Sequence, residues 1–301
     1  MCNNYAFSID GIVQTSMDAT STQALSSGLS GTMVFGSLAC LLYLLSAMVQ
    51  FFGLRSDGSN PVKVPSHKRK FVIFSAIAAL LLHGVFSFQE IYTQAGINIG
   101  IYPMASLTTL AIVAIVVVSS LRRPVENLLI VLLPIATISV ALTLLMKGAY
   151  TPRTDISTGI MIHIVLSVIA NSLLAVAAFE AAFLSLGDYE MKHRNIAVLR
   201  RLPPLQTMES LLFELLWTGL IFLSLSIISG FIFLDDIYDR GLIHHTSITF
   251  AAWIVFAVLL WGRFQLGWRG TVASRWTLAG FGLLLLGYFG SKLVLELVLN
   301  G

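Results

Sequence analysis

His163, Ser167 and Asn171 recur at i, i+4 and i+8 within a long apolar stretch, Ile156 to Met191. That spacing puts all three side chains on one face of a helix. Polar groups facing lipid are costly, so the face must turn into a helical bundle. His163 follows Ile156 by seven residues, about 10 Å in from the start of the stretch at helical rise. His83 lies twelve residues after Phe71 in another apolar run. About 18 Å of rise leaves it about 12 Å from the far edge of a hydrocarbon core about 30 Å thick. His244 and His245 stand at the mouth of a third apolar run. Two imidazoles at one depth on different helices are the donors that haem iron takes axially, and apolar walls accept the porphyrin faces. His163 and His83 are therefore the candidate metal ligands for a b-type haem, with His245 as substitute. Arg153, Arg240, Lys147 and Lys292 are the cations placed to meet the propionates. Zinc suits the set less well, because no Cys and few carboxylates lie at that level to complete a tetrahedron. The other reading is that His83 and His163 hydrogen-bond across helices as packing groups.

The elements that must carry these residues follow from composition. Hydrophobic residues make up 56% of 301 and charged residues 11%, against about 25% charged in a soluble domain. With a mean hydropathy of +0.86, the chain reads as an all-α, polytopic membrane protein with little room for a soluble domain. The spacing predicts eight transmembrane helices, at about 32–54, 71–92, 101–121, 125–146, 156–187, 207–234, 245–264 and 273–298. They form one transmembrane domain over 31–301. Residues 1–30 are Ser/Thr-rich without Lys or Arg, so they are expected to be a polar, loosely ordered external segment and not a signal peptide.

Charge sets the expected orientation. Of the 18 Lys and Arg, fourteen fall on one side, after the first, third, fifth and seventh spans. Lys147, Arg153, Arg240 and Lys292 make up the other side. By the positive-inside rule the basic side is cytoplasmic, both termini face outward, and the chain sits in the inner (plasma) membrane. The net charge of +3 follows from those basic loops and implies no nucleic acid. In the same frame, Glu180, Glu209 and Glu214 are expected near the inner edge, neutralised by Arg200, Arg201 or Lys192. Trp268 and Trp276 read as belt residues, and His67 and His193 as solvated loop residues.

Cys2 and Cys40 form no CxxC or CxxCH, which excludes a thiol redox enzyme and a c-type cytochrome. The chain also lacks GxGxxG, GxxxxGK[ST], GxSxG and HExxH. No soluble-enzyme chemistry is legible, and the expectation is a protein that is not an enzyme.

The second half carries a resemblance. LPPLQTMESLLFELLWTGLIFLSLSIISG (202–230), AWIVFAVLLWGRFQLGWRG (252–270) and GFGLLLLGYFGSKLV (280–294) resemble the cytochrome c assembly superfamily, the CcsA, CcmC and CcmF group of haem-handling membrane proteins. MIHIVLSVIANSLLAVAAF (161–179) and ALLLHGVF (79–86) are similar to its YpjD/HemX-like branch. The resemblance covers about residues 71 to 296, and GWRG with GYFGSK is its most telling combination. It implies that His163 corresponds to the first external haem-ligating His of the family. The segment before the seventh span, FIFLDDIYDRGLIHHTSITFAAW, departs from the Trp-rich WWD signature of the haem exporters. The LVLELVLNG end lacks their second external His.

Together these readings lead to a haem-binding or haem-handling protein, accessory to cytochrome c biogenesis or haem homeostasis. Its expected partners are haem, the lipid bilayer and other cytochrome-biogenesis or haem-synthesis proteins. The alternatives are a non-haem membrane protein, either a small-molecule transporter or a scaffold, and a regulator of haem synthesis acting through its basic loops. A transporter would favour broken helices in two related halves, and Pro103 and Pro134 are the only prolines within spans.

Overall fold

The computed structural model describes residues 31–52, 66–123, 125–146, 152–154, 156–193, 204–233 and 240–287, without the side chains of 66–68 and 240–245. Among the described residues there are eight α-helices: α1 (Gly31–Phe52), α2 (Ser66–Ile91), α3 (Ile101–Arg122), α4 (Leu129–Leu145), α5 (Thr158–Lys192), α6 (Leu205–Phe233), α7 (Arg240–Leu266) and α8 (Gly270–Leu285). The chain is an all-α polytopic membrane protein. Seven of these helices are long and apolar enough to cross a bilayer. α8 has 16 described residues. The rest of the eighth expected span, from 288 on, lies outside the described residues, as does the segment 1–30.

Local sequence explains the helix ends. Ser157 caps α5, its hydroxyl accepting from the Ile160 amide at 3.3 Å. Pro103 sits in the first turn of α3, where its missing N–H costs nothing. Between α7 and α8, Gly267 (φ +67°) and Gly270 (φ +54°) hold left-handed backbone that a side chain would strain. The GWRG sequence is thus the corner that turns α7 into α8. Trp268, inside it, stacks on Trp276 with ring centroids 5.4 Å apart.

The outer surface is apolar. Phe264 is 83% exposed, Leu145 78% and Phe74 74%, exposures that suit a lipid solvent and would be a liability in water. α5 is the central element, packing against α3, α6 and α8, while α3 also packs against α2 and α4. Leu174, Val113, Leu133, Leu216 and Phe256 are fully buried in the shared core. α1 is joined by polar links: Tyr43 to His83, Ser46 to Ser75 at 2.7 Å, and the Gln50 amide to the Glu126 carbonyl.

One end of the bundle is basic, carrying Arg69, Arg123, Lys192, Arg263 and Arg269. There Arg69 pairs with Glu126, Arg123 with Glu214 at 2.6 Å, and Arg263 and Arg269 with Glu209 at 2.8 and 3.4 Å. These pairings correct the expectation for Glu209 and Glu214. Their cations come from the ends of α3, α7 and the GWRG corner, because antiparallel packing brings those ends to α6. Among the described residues Glu180 has no such partner. His193 lies over the Tyr189 ring, with centroids 4.1 Å apart. At the opposite end a two-residue hairpin pairs Tyr92–Thr93 with Gly96–Ile97, and Ile97 pairs in turn with Arg153.

Candidate functional site

His163 lies five residues into α5, half-buried against α6. Its Nδ1 is 2.9 Å from the carbonyl oxygen of Ser226 and 3.1 Å from the hydroxyl of Ser229. A backbone carbonyl can only accept, so Nδ1 carries the proton and Nε2 keeps its lone pair. Nε2 meets Ser167 Oγ at 3.5 Å. That hydroxyl already donates to the His163 carbonyl at 2.8 Å. Ser167 and Ser226 also share a hydrogen bond at 2.7 Å, so the expected interior face of α5 does meet protein at Ser167. One turn above His163, Gly159 leaves room for the ring of Phe233. The site is therefore an imidazole oriented through Nδ1, with only the long Ser167 contact on Nε2 among the described residues and an aromatic ring one turn away, at the end of the bundle opposite the basic one.

His83 is different. It is fully buried, and both ring nitrogens are engaged: Nδ1 with the Tyr43 hydroxyl at 3.1 Å and Nε2 with the Ser106 hydroxyl at 2.8 Å. The structure does not bring it to His163. α3 packs against both α2 and α5, with the Ser172 hydroxyl of α5 donating to the Thr108 carbonyl at 3.3 Å. Ser106 is two residues from Thr108, and His163 nine from Ser172 in the same direction. Helical rise then sets His163 about 10 Å further towards the end than His83. The depth match expected from the sequence fails because α5, at 35 residues, starts well beyond the level where α3 starts.

Arg153 is exposed at the same end as His163, its backbone paired with Ile97 through bonds of 2.8 and 3.1 Å. Arg240 and His245 lie in the first turns of α7, also at that end, and their side chains fall outside the described residues, as do Lys147 and Lys292. Sequence reasoning missed Ser226 and Ser229. The signal was there: two serines at i, i+3 in an apolar helix, matching the His163–Ser167 pair on its neighbour.

The donor set can be tested against chemistry. Among the described residues no three His, Cys, Asp or Glu gather around one point, so a site built from protein ligands alone, which needs three or four, has no basis there. A lone imidazole with an available Nε2 and its other nitrogen bonded to a carbonyl suits a haem iron, which takes its proximal ligand that way. His163 fits that role. His83, with neither nitrogen free, fits the packing role.

Comparison with known proteins agrees with the fold. The chain is 29% identical over 267 residues to the "Inner membrane protein YpjD" of Escherichia coli strain K12, covering 88% of this chain and 99% of the relative. It is 30% identical over 190 residues to an "Uncharacterized 28.8 kDa protein in nifR3-like 5'region" of Azospirillum brasilense, covering 60% and 69% of the two chains. No solved structure matches. The family model described as "Cytochrome C assembly protein" matches residues 66–299, which takes in every described helix except α1. With membrane-crossing helices over the matched region and relatives that agree along most of its length, this chain belongs to the cytochrome c assembly protein family.

Proposed function

We propose that this protein binds a b-type haem in the inner (plasma) membrane, as an accessory to cytochrome c biogenesis or haem homeostasis, with His163 as an axial ligand. The observation that carries the reading is the His163 imidazole itself. Its Nδ1 is tied to the Ser226 carbonyl at 2.9 Å, which fixes the ring and leaves Nε2 for iron. His245, in the first turns of α7, is the candidate for the second axial position. Arg153 and Arg240, at the same end, are the cations for the propionates. Family membership and the name of the E. coli relative support a membrane setting and a link to cytochrome c assembly. The haem would supply the iron and its redox chemistry; the chain's own part is to hold, orient and shield it.

An absorption spectrum of the detergent-purified protein, before and after dithionite and during haemin titration, tests the reading. A low-spin b-type spectrum is expected, lost on His163→Ala and kept in His67→Ala. Wild-type protein made with ample haem supply that shows no Soret band and takes up no haemin overturns it.

A further inference from the structure

Glu180 is the buried ionisable side chain that the haem reading does not use. It is fully buried on α5, and among the described residues neither carboxyl oxygen has a hydrogen-bond partner. Three contacts set the register of the helices around it. Ser172 of α5 bonds the Thr108 carbonyl of α3; both helices run the same way, so eight residues on, Val116 stands level with Glu180. Leu174 packs where Gly219 of α6 lacks a side chain, and six residues along antiparallel helices bring Phe213 to that level. Asp188 approaches Gly270 at the start of α8, and eight residues along antiparallel helices bring Leu278 there. Val116 and Phe213, both buried, thus stand at Glu180's level on α3 and α6, with the Arg263 guanidinium 4.4 Å from the Phe213 ring. On α8 Leu278 is exposed and the buried residue next to it is Thr277, whose hydroxyl donates to the Ala273 carbonyl at 2.9 Å.

The charged groups of the surrounding elements are committed elsewhere. Arg123 of α3 is bonded to Glu214 at 2.6 Å and to the Ser210 hydroxyl at 3.1 Å. Glu209 of α6 holds Arg263 of α7 and Arg269 at the GWRG corner. Arg275 of α8 is exposed, and Asp188 of α5 lies two turns towards the basic end, at the start of α8. A fully buried carboxylate with no hydrogen-bond or ion-pair partner among the described residues is too costly to persist, and such a group neutralises itself.

We propose that Glu180 is a proton-binding site within the membrane bundle, carried in the folded protein as the neutral carboxylic acid. The ligand is a single proton, and the site is independent of haem.

Infrared spectroscopy of the haem-free protein in lipid at neutral pH tests this. A protonated-carboxyl C=O stretch that shifts down in deuterium oxide is expected. It should be absent in Glu180→Gln, kept in Glu209→Gln and Glu214→Gln, and unchanged when sodium replaces choline. Should Glu180→Gln fail to fold, Glu180→Asp serves in its place, because the band must then move in frequency. A wild-type spectrum with carboxylate bands alone overturns the proposal in favour of a charge paired with Arg123. A band that survives Glu180→Gln, or that vanishes on adding sodium, overturns it as well. None of these outcomes bears on haem uptake, which the visible spectrum reports separately.

Discussion

Tyr43 on α1 places its hydroxyl 3.1 Å from Nδ1 of His83 on α2, and the two rings meet edge to face with centroids 5.7 Å apart. With Ser106 on the far nitrogen, this contact stitches three helices through one imidazole. α1 lies ahead of the family match, which begins at residue 66, so His83 is where the family region and the helix before it are joined.

Tyr43→Phe keeps the ring and removes the hydroxyl, leaving a buried nitrogen without its partner. The expected cost is about 1–3 kcal/mol, read as a lower thermal midpoint in detergent with haem uptake unchanged. His83→Ala should also lower the midpoint and leave the haem spectrum in place. Loss of the Soret band in His83→Ala, with the fold intact, would return His83 to the ligand set.

The acidic pairs at the basic end should differ in worth. Glu209 is 19% exposed and answers to two arginines, whereas Glu214 is 57% exposed and answers to one. Glu209→Gln is expected to cost about 1–3 kcal/mol, the range for leaving a partly buried polar partner, here the Arg263 guanidinium, unsatisfied. Glu214→Gln should cost less than about 1 kcal/mol. Thermal unfolding of the two variants side by side, with equal shifts as the contrary result, decides it.

Close packing of α5 on α6 runs through a missing side chain. A Cβ at Gly219 would come within 2.7 Å of Leu174, while one at Gly282 on α8 would meet open space. Gly219→Ala should therefore destabilise by about 1–3 kcal/mol through overpacking. Gly282→Ala should be neutral or slightly stabilising, since alanine favours the helix. The same melting experiment separates them.

The proposed orientation, with the basic end cytoplasmic, makes a topological prediction. Reporter fusions after Lys63, Arg194 or Arg269 should behave as cytoplasmic, and those after Gly96, Arg153 or Asp239 as external. A cytoplasmic signal after Asp239 would turn the molecule over and put the His163 site on the wrong side for an external ligand.

The helices were legible because apolar length is a direct property of the chain. The expected spans at 101–121 and 125–146 match α3 and α4 within a few residues, even though Arg122, Arg123 and Pro124 alone separate them. What the sequence hid was relative height. Counting residues from a span edge assumes that every helix starts at one level, and α5 starts about 10 Å beyond α3, so His83 and His163 came out at one depth on paper and about 10 Å apart in the fold. Partner choice was hidden for a similar reason. That Arg123 reaches Glu214, or Ser226 reaches His163, depends on which helices pack together, and hydropathy carries no record of that.

The central position of α5 also has a consequence for biosynthesis. Chains emerge N-terminus first, so α5 enters the bilayer before α6, α7 and α8 exist. Its bond from Ser172 to α3 can form at once. The imidazole of His163 and the hydroxyl of Ser167 wait for Ser226 and Ser229 on α6. The space around Glu180 closes when α6 and α8 arrive. A nascent chain halted before Leu205 therefore exposes polar groups within lipid that the finished chain hides.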